Sequence, residues 1–178
     1  MKTLVIGYGS IGSRHYRLLS ELGCDVRVLS KHNLGMKNCF FDLSQALSWE
    51  PEYIIIANET AKHYQTLQSL FNNQYKNGII LVEKPLFNQL EVLPKVQLSH
   101  VFVAYNLRFH PILQEIKKAI QTEKIISAQI YVGQYLPEWR PDKDYRKSYS
   151  AEKALGGGVL RDLSHELDYM NWFFGEFS

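Results

Sequence analysis

The chain has 178 residues, of which 46% are hydrophobic and 21% charged, with a net charge of +2. This is the balance of an ordinary globular protein, and the length suits one domain, or one and part of a second. The charge is too small and too scattered for a nucleic-acid footprint, and no apolar run approaches membrane-spanning length, so neither nucleic acid nor a membrane is expected as a partner. Cys24 and Cys39 fit no zinc or disulfide spacing. No metal site is predicted, and both thiols are expected to be free. With no leader ahead of the first strand, the reading is a cytoplasmic protein.

The run "KTLVIG" is a short apolar strand ending in glycine, the pattern of a strand buried on both faces in a parallel sheet. A helix follows over "SIGSRHYRLLSEL", with Ile11, Leu18, Leu19 and Leu22 at helical spacing and Gly23 as its stop. "DVRVLS" is a second strand. "DLSQALSWE" is a short helix capped by Asp42 or Ser44 and ended by Pro51. "YIIIAN" is a strand, "AKHYQTLQSLFNNQ" a helix, and "GIILVE" and "HVFVAY" are strands. This alternation predicts an α/β fold, a doubly wound parallel sheet of the Rossmann kind over residues 1–104.

The pattern changes near residue 104, where a second, α+β domain is predicted over 105–178. "HPILQEIKKAIQTE" reads as a helix with Pro111 in its first turn. "KIISAQIYVGQYL" alternates, with Ile126, Ala128, Ile130 and Val132 on one side, and predicts a long half-buried strand. A loop of over twenty residues runs from Pro137 to Gly158, and loops of that length are functional or disordered. Trp139 within it is a candidate cover for a sugar face or a packing residue. A closing helix comes last. At 100° per residue, Leu160, Leu163, Leu167, Met170 and Phe174 form one stripe, and Asp162, His165 and Tyr169 cluster opposite it within about 60°.

The first chemical motif is Gly7-Tyr8-Gly9-Ser10-Ile11-Gly12, a G-x-G-x-x-G between a strand and a helix. Gly7 makes the tight turn, Gly9 lets the backbone approach a pyrophosphate, and Gly12 lets helix and strand pack closely. The helix N-terminus then offers N–H groups to phosphates. The end of the second strand carries Ser30 and Lys31 with no acid to hold a ribose 2′-hydroxyl, which favours NADP over NAD. Glu83-Lys84-Pro85 follows another strand, whose C-terminal end faces the ligand crevice of such a sheet. Lys84 could bond a ribose or substrate hydroxyl there and polarise a reacting carbonyl.

The glycine loop, "EKP", "YNLRFHP" and "GGGVLRDLSHELDY" occur in that order over nearly the whole chain. This set resembles the glucose–fructose oxidoreductase / inositol dehydrogenase (Gfo/Idh/MocA) family. The resemblance implies a Rossmann domain, a C-terminal α/β domain and catalysis between them, by hydride transfer between a nicotinamide and a carbon of a sugar or related polyol. It implies that Lys84, Asp162 and His165 are catalytic. Ala57, Asn58 and His63 would lie near the cofactor with Glu83, and Asn106 and Arg108 near nicotinamide and substrate. Glu166 and Asp168 are read as solvent-facing or supporting groups. "DLSHELDY" further resembles members associated with bacterial surface-sugar pathways. Two departures stand out. Asp162 and His165 are three apart where the family usually has four, and Glu59-Thr60 stands where it has a proline.

A carboxylate one turn from an imidazole would hold the ring and raise its pKa, so His165 could exchange a proton with the substrate hydroxyl. Members of the family are longer, with a broad sheet behind the catalytic helix. Burying the five side chains of the stripe is worth on the order of 10 kcal/mol, and left exposed they are sticky. The chain is then a fragment, a short homologue that recovers the cover as a homo-oligomer, or a non-catalytic dinucleotide-binding or interaction protein whose second domain has decayed.

Overall fold

Six short apolar runs pair side by side into one parallel sheet: β1 (Lys2–Ile6), β2 (Asp25–Leu29), β3 (Cys39–Phe40), β4 (Tyr53–Ile56), β5 (Ile79–Val82) and β6 (Val101–Val103). The computed structural model describes residues 1–32, 34–75, 78–92, 100–139, 144–147, 151–152 and 157–176. Gly156, much of the long loop and the Trp139 side chain lie outside the described residues. The strand order is β3-β2-β1-β4-β5-β6. The chain therefore winds outward from β1 to one edge, returns to β4 and winds outward to the other. Where the winding reverses, between β1 and β4, a crevice opens at the C-terminal ends of the strands. The two-residue β3 was not anticipated, being too short to show a period.

Helices cover both faces. They are α1 (Ser10–Glu21), α2 (Leu43–Ser48) and α3 (His63–Asn72), the last entered through a 3-10 turn at Thr60–Lys62. Alternate residues along the strands sort the core. Leu4, Ile6, Ile54 and Ile56 pack with Leu67 and Leu70 of α3, while Val5, Val26, Ile55 and Ala57 pack with Tyr16 and Leu19 of α1. Helices α1 and α3 thus lie on opposite faces. Asp42 caps α2 by accepting from the Ser44 and Gln45 N–H groups.

The face that α1 buries differs from the predicted one. Ile11, Leu18 and Leu22 are exposed, whereas Gly12 is buried and Tyr16 and Leu19 pack on the sheet. The helix settles where it has no side chain, so Gly12 and not the largest apolar residue chooses the face. An ideal Cβ at Gly12 would stand 2.2 Å from the Gly7 carbonyl oxygen.

Two compact units divide the chain, Met1–Ala104 and Tyr105–Ser178. The second contains a 3-10 turn at Asn106–Phe109, α4 (Pro111–Ile120), α5 (Leu136–Trp139), a 3-10 turn at Tyr145–Lys147, α6 (Val159–Asp162) and α7 (His165–Phe174). Pro111 opens α4 behind His110, whose ring nitrogen accepts from the Ile112 N–H at 3.3 Å.

The strand predicted over 124–136 does not form, and Ile126 is 93% exposed. Alternation marks a face but supplies no ladder partner, and among the described residues 105–178 contain no other strand. The closing helix comes as two pieces, because Leu163 leaves helical geometry at φ −105°, ψ 39°. Of the predicted stripe, Leu160, Leu167 and Phe174 are exposed. Among the described residues, every buried hydrophobic side chain lies between Leu4 and Val82.

The two glycines of the loop are expected to separate on substitution. Gly12→Ala drives a carbon into backbone and should cost about 1–3 kcal/mol of stability. Gly9→Ala meets nothing within 4 Å and should stay within about 0.5 kcal/mol of the parent. Urea unfolding of both variants checks this, and an undiminished midpoint for Gly12→Ala would contradict the packing.

Candidate functional site

The loop between β1 and α1 is shaped by contact on one side and openness on the other. Gly7 has φ +95°, and a Cβ there would lie 2.6 Å from the Asn58 backbone. Its N–H continues the ladder to the Leu29 carbonyl at 3.0 Å. Gly9 precedes the first turn of α1, which has no side-chain cap, so the N–H groups of that turn are left for water or a ligand. Ser10 and Ile11 are exposed at its start. Asn58 lies beside Gly7 at the end of β4. It donates to Thr66 Oγ1 at 2.8 Å, and its own Oδ1 is buried without a hydrogen-bond partner. An uncapped helix end and open space over Gly9 fit the pyrophosphate of a dinucleotide.

At the end of β2, Ser30 is buried and its hydroxyl accepts from the His32 N–H at 3.1 Å, while Lys31 is exposed. The Glu59 carboxyl lies below its ordinary range, first through the hydrogen bond from Lys62 and to a smaller extent through the charge of Lys31. Lys31 therefore stands within electrostatic reach of the β4 end. Ala57, the other candidate in that segment, is buried under α1, with its N–H on the Ile6 carbonyl at 2.8 Å.

At the end of β5, Glu83 extends the ladder through its N–H to the Ile56 carbonyl at 2.9 Å. The side chain of Glu83 meets His15 of α1, Oε1 to Nε2, at 2.6 Å. Its other oxygen accepts from the Lys84 backbone N–H at 3.3 Å. The Lys84–Pro85 peptide bond is cis. His15 was not singled out in the sequence; its only signal there is its place nearly one turn after Gly12.

His63 opens α3 and is 1% exposed. Its Nδ1 lies 3.1 Å from both the Pro85 and Leu86 carbonyls, and its Nε2 lies 3.1 Å from the Asn58 carbonyl. Proximity to a cofactor was expected of this residue, but its ring is spent on main-chain oxygens. A neutral imidazole carries one N–H and can donate to one side only, so a second proton would improve the hydrogen bonding. Burial opposes that proton and dominates, holding the pKa below the ordinary value.

In the second unit, Arg108 was expected near nicotinamide and substrate. Its guanidinium grips Asp168 of α7 with two bonds, Nε to Oδ2 at 2.8 Å and Nη2 to Oδ1 at 2.6 Å. The pairing raises the Arg108 pKa. Asp168 is thus a tie between the turn at Asn106–Phe109 and α7. Asn106 is exposed on that turn. Asp162 is buried at the end of α6, and His165 begins α7 with its ring edge-on to Tyr105 at 5.7 Å. The helical break between them means that the 100° wheel does not carry from Asp162 to His165. Ser164 in the break is buried, its hydroxyl without a hydrogen-bond partner. Among the described residues no cluster of His, Cys, Asp and Glu could hold a metal, and no helix is long and apolar enough to cross a membrane.

The depressed pKa of His63 gives a signed expectation. The unfolded chain takes up this proton below about pH 6.5 while the folded chain resists it, so stability rises with pH through that region. The contribution is complete above the unfolded value and is lost as pH falls below it. The urea midpoint should drop more between pH 7.5 and 5.5 in the parent than in His63→Gln. Equal drops would show that His63 is not the group responsible.

No family model matches the chain. Its sequence is 23% identical over 171 residues to levoglucosan dehydrogenase of Pseudarthrobacter phenanthrenivorans, covering 91% of this chain and 43% of that enzyme. Its fold is similar to that of the WlbA dehydrogenase from Bordetella pertussis, solved in complex with NADH and UDP-GlcNAcA, at a TM-score of 0.69 and 16% identity over 98% of this chain and 59% of that one. It is also similar to UDP-N-acetylglucosamine 3-dehydrogenase GnnA from Acidithiobacillus ferrooxidans, at a TM-score of 0.51 and 17% identity over 67% and 43%. The chain thus spans about half the length of these relatives. The chain is thus similar to these dehydrogenases, in sequence at 23% identity and in fold through the parallel Rossmann sheet.

Proposed function

We propose that the protein binds a nicotinamide dinucleotide on residues 1–104 and serves in hydride transfer to or from a hydroxyl or keto carbon of a sugar or sugar derivative. The observation that carries this reading is the loop at the reversal of the sheet. There Gly7 and Gly12 are packed to exclusion while Gly9 and the first turn of α1 stay open. A pyrophosphate would lie against that turn, held by N–H groups and the helix dipole. The nicotinamide, when bound, supplies the site that accepts or gives the hydride.

The remaining chemistry falls to side chains of this chain. We assign Lys84 to the reacting hydroxyl, where an ammonium stabilises the charge that develops on oxygen. His165 exchanges the hydroxyl proton and Asp162 supports it. Lys31 selects the cofactor: with Ser30 already accepting from the backbone, it is the cation left to meet a 2′-phosphate, which favours NADP over NAD. The family resemblance and the sugar-nucleotide ligand of the similar WlbA support a sugar, nucleotide-linked or free, and a place in bacterial surface-polysaccharide synthesis. Two free thiols suit the cytoplasm, and the exposed Leu160, Leu167 and Phe174 suit a homo-oligomer.

Titration with NADPH and NADH, followed by nicotinamide fluorescence, tests the binding. Both should bind, NADPH more tightly. Lys31→Ala should weaken NADPH about tenfold, the loss of roughly 1.4 kcal/mol, and leave NADH nearly unchanged. With a sugar panel, Lys84→Met should lower kcat by at least about a hundredfold, within the usual range for such a group, while cofactor affinity is retained. Absence of binding to either nucleotide would sink the reading, and unchanged turnover in Lys84→Met would remove Lys84 from it.

A further inference from the structure

We infer that His15 and His63 are positioning residues that clamp the Lys84 turn from opposite faces of the sheet. This inference rests on the reading of Lys84 as the group that acts on substrate. From the α1 face, His15 holds Glu83 Oε1 at 2.6 Å, and Glu83 Oε2 in turn receives the Lys84 backbone N–H at 3.3 Å. From the α3 face, the His63 ring lies 3.1 Å from the carbonyls of Pro85 and Leu86. Glu83 before Lys84, and Pro85 and Leu86 after it, are therefore held by different helices.

The parity of β5 explains how both contacts exist. Ile80 and Val82 point to the α3 face, and Leu81 packs on the α1 side. Glu83, one residue past Val82, therefore projects toward α1, where His15 meets it. The chain then turns at Pro85 back under the start of α3, where His63 waits. The same His63 ring also touches the Asn58 carbonyl at 3.1 Å. It thereby couples the turn after β5 to the segment after β4, which closes against Gly7. Cofactor loop and lysine turn thus meet at one imidazole, which while neutral donates to one of them at a time. A reacting group displaced by about 1 Å loses on the order of a hundredfold in rate, so a clamp on its backbone has a kinetic consequence that ordinary packing lacks.

The test uses the full chain and two local readouts. His15→Gln and His63→Gln are compared with the parent by amide hydrogen exchange over peptides spanning 83–87 and over β1 and β4. The clamp predicts faster exchange confined to 83–87, with the strands unchanged. In turnover with NADP⁺ and a sugar, kcat should fall ten- to a hundredfold in each variant, with nucleotide affinity within about threefold of the parent. His15→Ala provides a second variant at the half-exposed end of the clamp should His63→Gln fail to fold. Exchange at 83–87 equal to the parent in the variants overturns the proposal, and so does a rise of equal size across β1 and β4, which would mark general packing residues. If the parent binds no nucleotide and turns over no sugar, the proposed function fails, while exchange confined to 83–87 would still show the clamp.

Discussion

The protein is organised around a contact that leaves no room for a single carbon atom. Helix α1 rests on the loop after β1 with Gly12 against the Gly7 carbonyl, where a Cβ would stand at 2.2 Å. Backbone-to-backbone packing this close fixes the height and the rotation of the helix together. Rotation decides which side chains reach the sheet, so Tyr16 and Leu19 are buried while Ile11 and Leu18 stay outside. It also decides that His15, on the flank of the buried face, meets Glu83. A glycine at one position thus governs a polar contact at the end of a strand far away in the chain.

The polar groups at the C-terminal edge of the sheet follow from what each strand end must satisfy. A parallel sheet leaves backbone groups unpaired where its strands stop. Part of the demand is met by extending the ladder, as with Gly7, Ala57 and Glu83, whose N–H groups reach the neighbouring strand. The carbonyls of Asn58, Pro85 and Leu86 all face one buried imidazole, whose single N–H can serve one side. The cost is a ring held neutral by burial among acceptors that would prefer it charged. Among the described residues, Asn58 Oδ1 is left in this segment as a buried atom without a hydrogen-bond partner.

Much of this was legible in the sequence because it depends on local order. The strand–helix alternation gave the Rossmann sheet, and the spacing of Gly7, Gly9 and Gly12 gave the loop and its division of labour. Asp42 as the cap of α2 and Pro111 as the opening of α4 could be read from residue type and position. What could not be read depends on partners distant in the chain. The alternation of Ile126, Ala128 and Ile130 marks a face, yet no strand is present to pair with it. The wheel through Asp162 and His165 assumed an unbroken helix, and Leu163 breaks it. His15 and Glu83 are 68 residues apart, and no pattern in either neighbourhood announces the other. Arg108 and the Asp168 that it holds are likewise 60 residues apart.

The two units are stabilised by different physics. Residues 1–104 bury aliphatic side chains on both faces of a sheet, each worth about 1.5–3 kcal/mol when fully buried, and this term is insensitive to salt. The described residues of 105–178 bury no hydrophobic side chain completely. What joins their elements is directional and charged: Arg108 on Asp168, and Lys117 of α4 on the last carbonyls of α7 at Trp172 and Phe173. Lys117 stands where the negative end of a helix dipole favours a cation, and it also lies over the Trp172 ring at 5.4 Å. Bonds of this kind fix geometry well but add little net stability where water reaches them, so α7 is oriented more firmly than it is stabilised. The helix that begins with His165 is therefore held in place by Arg108 at Asp168 and by Lys117 at its last carbonyls.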